Sequence, residues 1–312
     1  MALLIFLILL LLSAAALILQ PRYRHYIPFF NEVRIFSFKA LGRVHVCSWS
    51  QAVRWKEHHD DAVRLRLELE NAVHLKEQDN SLALWDTPQG VFWFPAGTGK
   101  RQVAFILAEQ ASGVYESGTH AVRPGDVVLD CGANVGVFLR TALREGAKQV
   151  IAVEPAEDNI RCLRRTFENE IASQRVLIYP KGVWDTEAAL PIRIDPGASG
   201  HNSFVLHYAG ATDGPTVPLT TIDAIVEELH LEGVDFIKLD VEGAEAPALK
   251  GASRTISKFK PRISVACEHY PLNAEEVIRV LGPDSNYVMS CGPCLLADRH
   301  IFPEVLYFSP VN

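Results

Sequence analysis

The chain has no basic block. Its 30 Lys and Arg are dispersed among 37 Asp and Glu, giving a formal charge of -7 over 312 residues. Nucleic-acid binding is dominated by phosphate neutralisation from a Lys/Arg stripe, so DNA and RNA are excluded as expected partners. The dinucleotide fingerprint G-x-G-x-x-G is missing too, which counts against NAD and nucleotide-sugar chemistry. Gly97-Thr98-Gly99-Lys100 lacks the spacing of a phosphate loop and reads as a surface turn. Cysteine is sparse, and no second pair or nearby His completes a zinc set around Cys291-Gly292-Pro293-Cys294. That pair is read as a turn holding two thiols, Cys131 and Cys267 as small core residues, and the whole usage as that of a reducing compartment.

A basic n-region is also absent ahead of the long apolar run Ala2–Leu19, whose 18 residues carry no charge. A cleavable signal would need that region, so residues 1–20 are expected to form an uncleaved single-pass anchor. Arg22, Arg24, Lys39 and Arg43 follow it, which places the rest of the chain on the cytoplasmic side. The aromatics between Pro21 and Phe38 suit either the headgroup level or packing on the domain beyond. Residues 21–110 are expected to be an extension made of this juxtamembrane segment, a helix and a hairpin. The helix is read over Ser50–Asn80 from the stripe Ala62, Leu65, Leu69, Ala72 and Val73, despite a strand-like alternation over residues 64–70. The hairpin spans Leu82–Phe94 and turns at Pro88-Gln89-Gly90. Gln102–Glu116 reads only as a lead-up to the catalytic domain, placed at 111–312.

What the chain does have is Val127-Val128-Leu129-Asp130-Cys131-Gly132-Ala133-Asn134-Val135-Gly136-Val137-Phe138. An apolar run that stops at an acid and turns through two glycines reads as a parallel strand, a tight loop and a helix N-terminus. Strands apolar on successive residues must be covered on both faces, so an α/β domain is expected. Further strand ends carry Glu154-Pro155, Gly182-Val183-Trp184-Asp185, Lys238-Leu239-Asp240-Val241-Glu242-Gly243-Ala244-Glu245 and His269. In such sheets ligands lie beyond the carboxyl ends of the strands, and Asp130, Glu154, Asp185, Asp240 and His269 all fall there. Between Asp185 and Pro218 a Pro- and Gly-rich insert is expected to hold short strands at 192–194 and 203–206, with Gly200-His201-Asn202-Ser203 as a candidate substrate contact.

Residues 130–136 together with Ile237–Glu245 resemble the FkbM-type family of S-adenosylmethionine (SAM)-dependent methyltransferases, over about Glu116–Tyr270. The resemblance implies a Rossmann-like class I sheet with helices on both faces and SAM as cofactor. It places Asp130, Gly132 and Asn134 by the amino acid portion of SAM, Glu154 by the ribose and Gly182-Val183 by the adenine, with Gly136 and Pro155 also among the cofactor-binding residues. It also implies an oxygen acceptor on a carbohydrate, lipid-linked glycan or secondary metabolite. Transfer then needs a group that removes the acceptor's proton: Asp240 first and His269 second, with Lys238, Glu242 and Glu245 around them. Lys238 serves equally as a substrate contact or as a buried partner that fixes the carboxylates. A divalent metal on Asp240 and Glu242 is conceivable, but two acids on one loop do not specify it, and no metal site is assigned. The reading from another class is a membrane-anchored scaffold that binds SAM or a nucleotide without turnover.

Overall fold

The computed structural model describes residues 30–194, 202–206, 212–270, 273–282 and 286–311. The segment expected to anchor the chain lies outside them; among the described residues no helix is long and apolar enough to cross a membrane. Helices α1 (Phe30–Ala40), α2 (Trp49–Val53) and α3 (Trp55–Ala72) come first. A capping box starts α2: Ser48 Oγ accepts from the Gln51 amide at 3.3 Å, and Gln51 Oε1 accepts from the Ser48 amide at 3.1 Å. In α3 the helical spacing overrides the alternation, burying Trp55 and Leu69. The helix ends at Ala72 rather than near Asn80. His74–Gln78 is instead β1, held by pairing with β2 (Leu82–Thr87), a partner that local periodicity does not reveal. The expected hairpin is β2 with β3 (Gly90–Pro95), Thr87 facing Gly90. Helix α4 (Lys100–Ala111) follows where only a lead-up was read; its N-cap is Gly99 and makes no side-chain cap, so the sequence carries no start signal there.

The remaining elements are β4 (Val127–Cys131), α5 (Val137–Arg144), β5 (Gln149–Val153), α6 (Glu157–Thr166), α7 (Glu168–Ala172) and β6 (Val176–Tyr179). Next come β7 (Gly182–Val183), β8 (Ala188–Ile194), β9 (Thr212–Thr220), α8 (Ile222–Glu228), β10 (Phe236–Leu239), α9 (Glu245–Lys250), α10 (Ser253–Phe259) and β11 (Arg262–Ala266). The chain closes with α11 (Asn273–Leu281), β12 (Tyr287–Cys291), β13 (Cys294–Ala297), β14 (His300–Pro303) and β15 (Val305–Pro310).

The main sheet has the order β12-β15-β11-β10-β4-β5-β6. β11, β10, β4, β5 and β6 run parallel, and β15 is antiparallel to both neighbours. As the unbroken apolar runs required, both faces are buried. Val128, Val150, Val176 and Phe236 join a core that extends through α4–α6 to Leu82, Phe92 and Phe94 of the hairpin. Leu129, Ile151, Ile237 and Val265 face Ile222, Leu249, Ala274 and Val277 on the other side. From β4 the sheet extends to β5 and β6 on one side and to β10 and β11 on the other. That switch point opens a crevice where these strands end. Gly182-Val183 belongs to a separate sheet, β7-β9-β8. The strand expected at 203–206 is reduced to one bridge between Ser203 and Arg193.

The cysteines depart from the sequence reading. Cys131, Cys162 and Cys267 are buried free thiols, but Cys47 and Cys294 form a disulfide with Cα atoms 6.4 Å apart. The expectation of uniformly reduced thiols is therefore corrected. Pairing depends on which backbones come within bridging distance, and a 247-residue separation hides that from the sequence. The register is set locally by His45, whose N–H donates to the Ile301 carbonyl at 2.7 Å.

Candidate active site

Beyond β4 the chain must turn where the β10 loop crosses it. A Cβ on Gly132, at φ +79, would lie 1.8 Å from the Asp240 carbonyl oxygen, so only glycine lets the two loops converge. The Gly132 and Ala133 amides both donate to the Val153 carbonyl, at 2.9 and 3.2 Å. Asn134 follows in the left-handed region at φ +50, and its Oδ1 is buried without a hydrogen-bond partner among the described residues. Glu154, at the end of β5, accepts from the amides of Asn134 and Ala156 at 2.9 Å each and from Asn159 Nδ2 at 3.3 Å. Burial pushes its carboxyl up to about 7.

Gly132, Asn134, Glu154, Pro155, Gly182 and Val183 all line one cavity of about 370 Å³. Two assigned residues do not, and their roles are corrected. Asp130 is fully buried behind the turn; it is the register partner of Lys238 on the neighbouring strand, so the two side chains share a face and pair at 3.3 Å. Gly136 serves packing: a Cβ there would lie 2.3 Å from the Phe167 ring. Asp185, another of the four strand-end acids, also lies off the cavity, although Gly182 and Val183 just before it line it.

Across the cavity stand Lys238, Asp240, Glu242 and His269. Lys238 donates to the Gly132 carbonyl at 2.8 Å and lies 3.3 Å from Asp240 Oδ2 as well as from Asp130. It is thus the buried partner of both carboxylates rather than a free substrate contact. His269 is enclosed by acids, with Nε2 3.1 Å from Glu245 and 3.5 Å from Asp240, and Nδ1 3.6 Å from Glu242. Burial would lower its pKa, yet Glu245 and Glu242 raise it well above the ordinary range, which favours the charged ring over the neutral base considered from sequence. For Asp240 burial works upward, but Lys238 and His269 hold the carboxyl well below the usual range. Glu242 is presented to His269 from the left-handed region at φ +53. Glu245 is fixed beneath, accepting from the Val241 amide at 2.9 Å and Asn273 Nδ2 at 3.1 Å.

A third wall escaped the sequence reading. Gln102, Phe105, Ile106, Glu109 and Gln110 of α4 line the cavity, and their spacing of three and four residues forms a single helical stripe. That stripe was the available signal. Glu109 Oε1 accepts from the Tyr115 hydroxyl at 2.8 Å, and burial, then Asp240, pushes its carboxyl up to about 8. Glu268 is raised well above its ordinary value, chiefly by burial. Asn159, Lys181, Asn202, Phe204 and Leu295 also reach the cavity. Of the candidate turn at 200–203, Gly200 and His201 lie outside the described residues. Ser203 is not a substrate contact: buried, it donates to the Glu242 carbonyl at 2.7 Å and straps the insert to the Asp240 loop.

Asp240, Glu242 and His269 present ligand atoms within 4.8 Å of one another, a spread that suits a divalent cation. A glycine turn, a strand-end glutamate and an opposing acid set inside one cavity can hold a nucleoside against a reacting group.

Comparison with known proteins bears on that arrangement. The chain is 28% identical over 195 residues to the AMB antimetabolite synthetase AmbE of Pseudomonas aeruginosa, a match that takes in 50% of this chain and 9% of that much longer relative. Among solved structures it is similar to a methyltransferase FkbM from Methylobacillus flagellatus (TM-score 0.44, 18% identity, 87% of this chain and 65% of that one). It is similar also to magnesium protoporphyrin IX methyltransferase from Synechocystis PCC 6803 with bound SAM (TM-score 0.37, 12% identity, 85% and 99%). The methyltransferase FkbM domain matches residues 130–290. Because that match spans just over half of the chain and contains the glycine turn, Glu154 and the Asp240 loop, the protein belongs to the methyltransferase FkbM domain family.

Proposed function

We propose that this protein transfers the methyl group of SAM to a hydroxyl oxygen on a carbohydrate, lipid-linked glycan or secondary metabolite. The observation that carries the reading is the single cavity in which Glu154 and the glycine turn face Asp240 and Lys238. The residues fit SAM. Glu154 offers a carboxylate to ribose hydroxyls, the unpartnered Asn134 Oδ1 an acceptor to an ammonium, and Val183 an apolar surface to a base. An acid-rich lining also suits a sulfonium cation.

Bound SAM would supply an activated methyl group on positively charged sulfur. The chain's own task is to orient the acceptor oxygen and take its proton. Asp240, kept ionised by Lys238 and His269, is a strong hydrogen-bond acceptor but a weak base. It aligns the hydroxyl and removes the proton only as the oxygen becomes a protonated ether, which is far more acidic than any carboxyl group. His269 and Lys238 hold Asp240 in place. The apolar faces of Phe105, Ile106, Phe204 and Leu295 exclude water beside it. We also propose membrane attachment through residues 2–19 with the catalytic region facing the cytoplasm, on composition alone.

Screening extracts for transfer of labelled methyl from SAM tests the activity. Calorimetric binding of SAM, with loss on Glu154→Ala, tests the site. A chain that binds SAM but labels no hydroxyl compound would favour the scaffold reading. Recovery of the full chain in the soluble fraction would remove the anchor.

A further inference from the structure

Among the described residues a second cluster of reactive side chains lies away from the transfer cavity: the Sγ atoms of Cys47, Cys291 and Cys294 all fall within 4.8 Å of one another. They come from three places, the loop before α2, the last residue of β12 and the first of β13. Cys47 and Cys294 are bonded, and Cys291 is a free thiol. Gln51 holds the intervening loop, its Nε2 donating to the carbonyls of Cys291 at 2.8 Å and Gly292 at 3.2 Å. All three thiols pack against the small apolar cluster of Ile35, Phe38, Ala52, Trp55 and Ile301. Cys291 and Cys294 also border a cavity of about 600 Å³ between α3 and the main sheet, which gives small thiols a route in.

We propose that this cluster is a thiol–disulfide exchange site. The Cys291 thiolate attacks Cys294 Sγ; the Cys291–Cys294 bond forms as the Cys47–Cys294 bond breaks, and Cys47 leaves as a thiolate that takes up a proton. No oxidant is consumed, since one disulfide replaces another. One pairing ties β13 to the N-terminal helices; the other closes a four-residue loop and releases Cys47. In a chain facing the cytoplasm a disulfide is transient or redox-sensing rather than a permanent staple, and a third thiol in reach supplies the means to move it. Burial pushes the Cys291 thiol up to about 11. The thiolate is therefore scarce at neutral pH, and exchange is expected over minutes to hours.

The test is disulfide mapping of the full chain by rapid alkylation and peptide mass spectrometry after several hours in reduced and oxidised glutathione. Wild type should yield both Cys47–Cys294 and Cys291–Cys294 peptides, in a ratio that stays the same as the glutathione ratio changes, because the two pairings are at the same oxidation level. Cys291→Ser should retain only the first and Cys47→Ser only the second, with cooperative thermal unfolding as the check that each variant folds. If Cys47→Ser fails to fold, differential alkylation of wild type still decides, because exchange distributes the free thiol between Cys291 and Cys47. A free thiol confined to Cys291 under every condition, or a folded Cys47→Ser that never forms Cys291–Cys294, overturns the proposal. Neither measurement depends on methyl transfer, so this site and the proposed activity fail separately.

Discussion

The cofactor wall of the cavity comes from residues 132–183, a run of successive strand ends, whereas the facing wall draws on residues 102–110, 202–204, 238–242, 268–269 and 295. The first is built from βα turns whose geometry follows from local residue choice, such as Gly132 where only glycine fits. The second exists only once α4, the insert and the β13–β14 hairpin have packed onto the sheet edge. One wall can therefore keep a common cofactor while the other varies with the acceptor, and substitutions should separate the two.

The largest effect is expected at Asp240. Asp240→Asn keeps the shape but removes the proton acceptor, and should lower single-turnover transfer about 10³-fold while SAM affinity by calorimetry stays within about threefold. Retained turnover would remove Asp240 from the mechanism. On the opposite wall Glu154→Ala should weaken SAM binding about 10- to 100-fold, the value of losing hydrogen bonds to a charged group. Unchanged affinity would mean that the ribose lies elsewhere.

Glu154 also makes stability depend on pH. Its folded-state value of about 7 is raised above the ordinary 4.5, so its contribution is fully present below about 4.5 and is lost as pH rises through 7. Glu154→Gln should therefore gain on wild type by on the order of 2 kcal/mol between pH 5 and pH 8 in urea unfolding without ligand. A constant difference across that window would refute the raised value. Phe105→Ala should raise the acceptor KM about tenfold through lost apolar contact and leave SAM affinity alone. The smallest effect is expected from exhaustive chelation, about twofold or less, because Lys238 and His269 already pair with Asp240 and Glu242. Loss of transfer restored by a divalent ion would reverse that assignment.

Much of this wall structure was legible beforehand, unevenly. Glu154 and Asp240 were legible as cavity residues because each follows an apolar run, and a parallel strand presents its end to the crevice. Asp130 ends such a run too, yet it turned inward because Lys238 lies beside it in register, a fact about strand neighbours rather than strand ends. Glu109 was missed for want of a capping signal ahead of α4. The acid surroundings of His269 were equally out of reach, since three carboxylates from separate positions are brought around one ring.

Periodicity and turn chemistry act over a few residues, so the sequence by itself determined the buried parallel sheet, the glycine turn and the acids at its strand ends. Tertiary structure alone decided which acids share a cavity, which are held ionised, what lines the acceptor wall and that Cys47 meets Cys294. These depend on distances between segments up to 247 residues apart, and only the packed chain sets them.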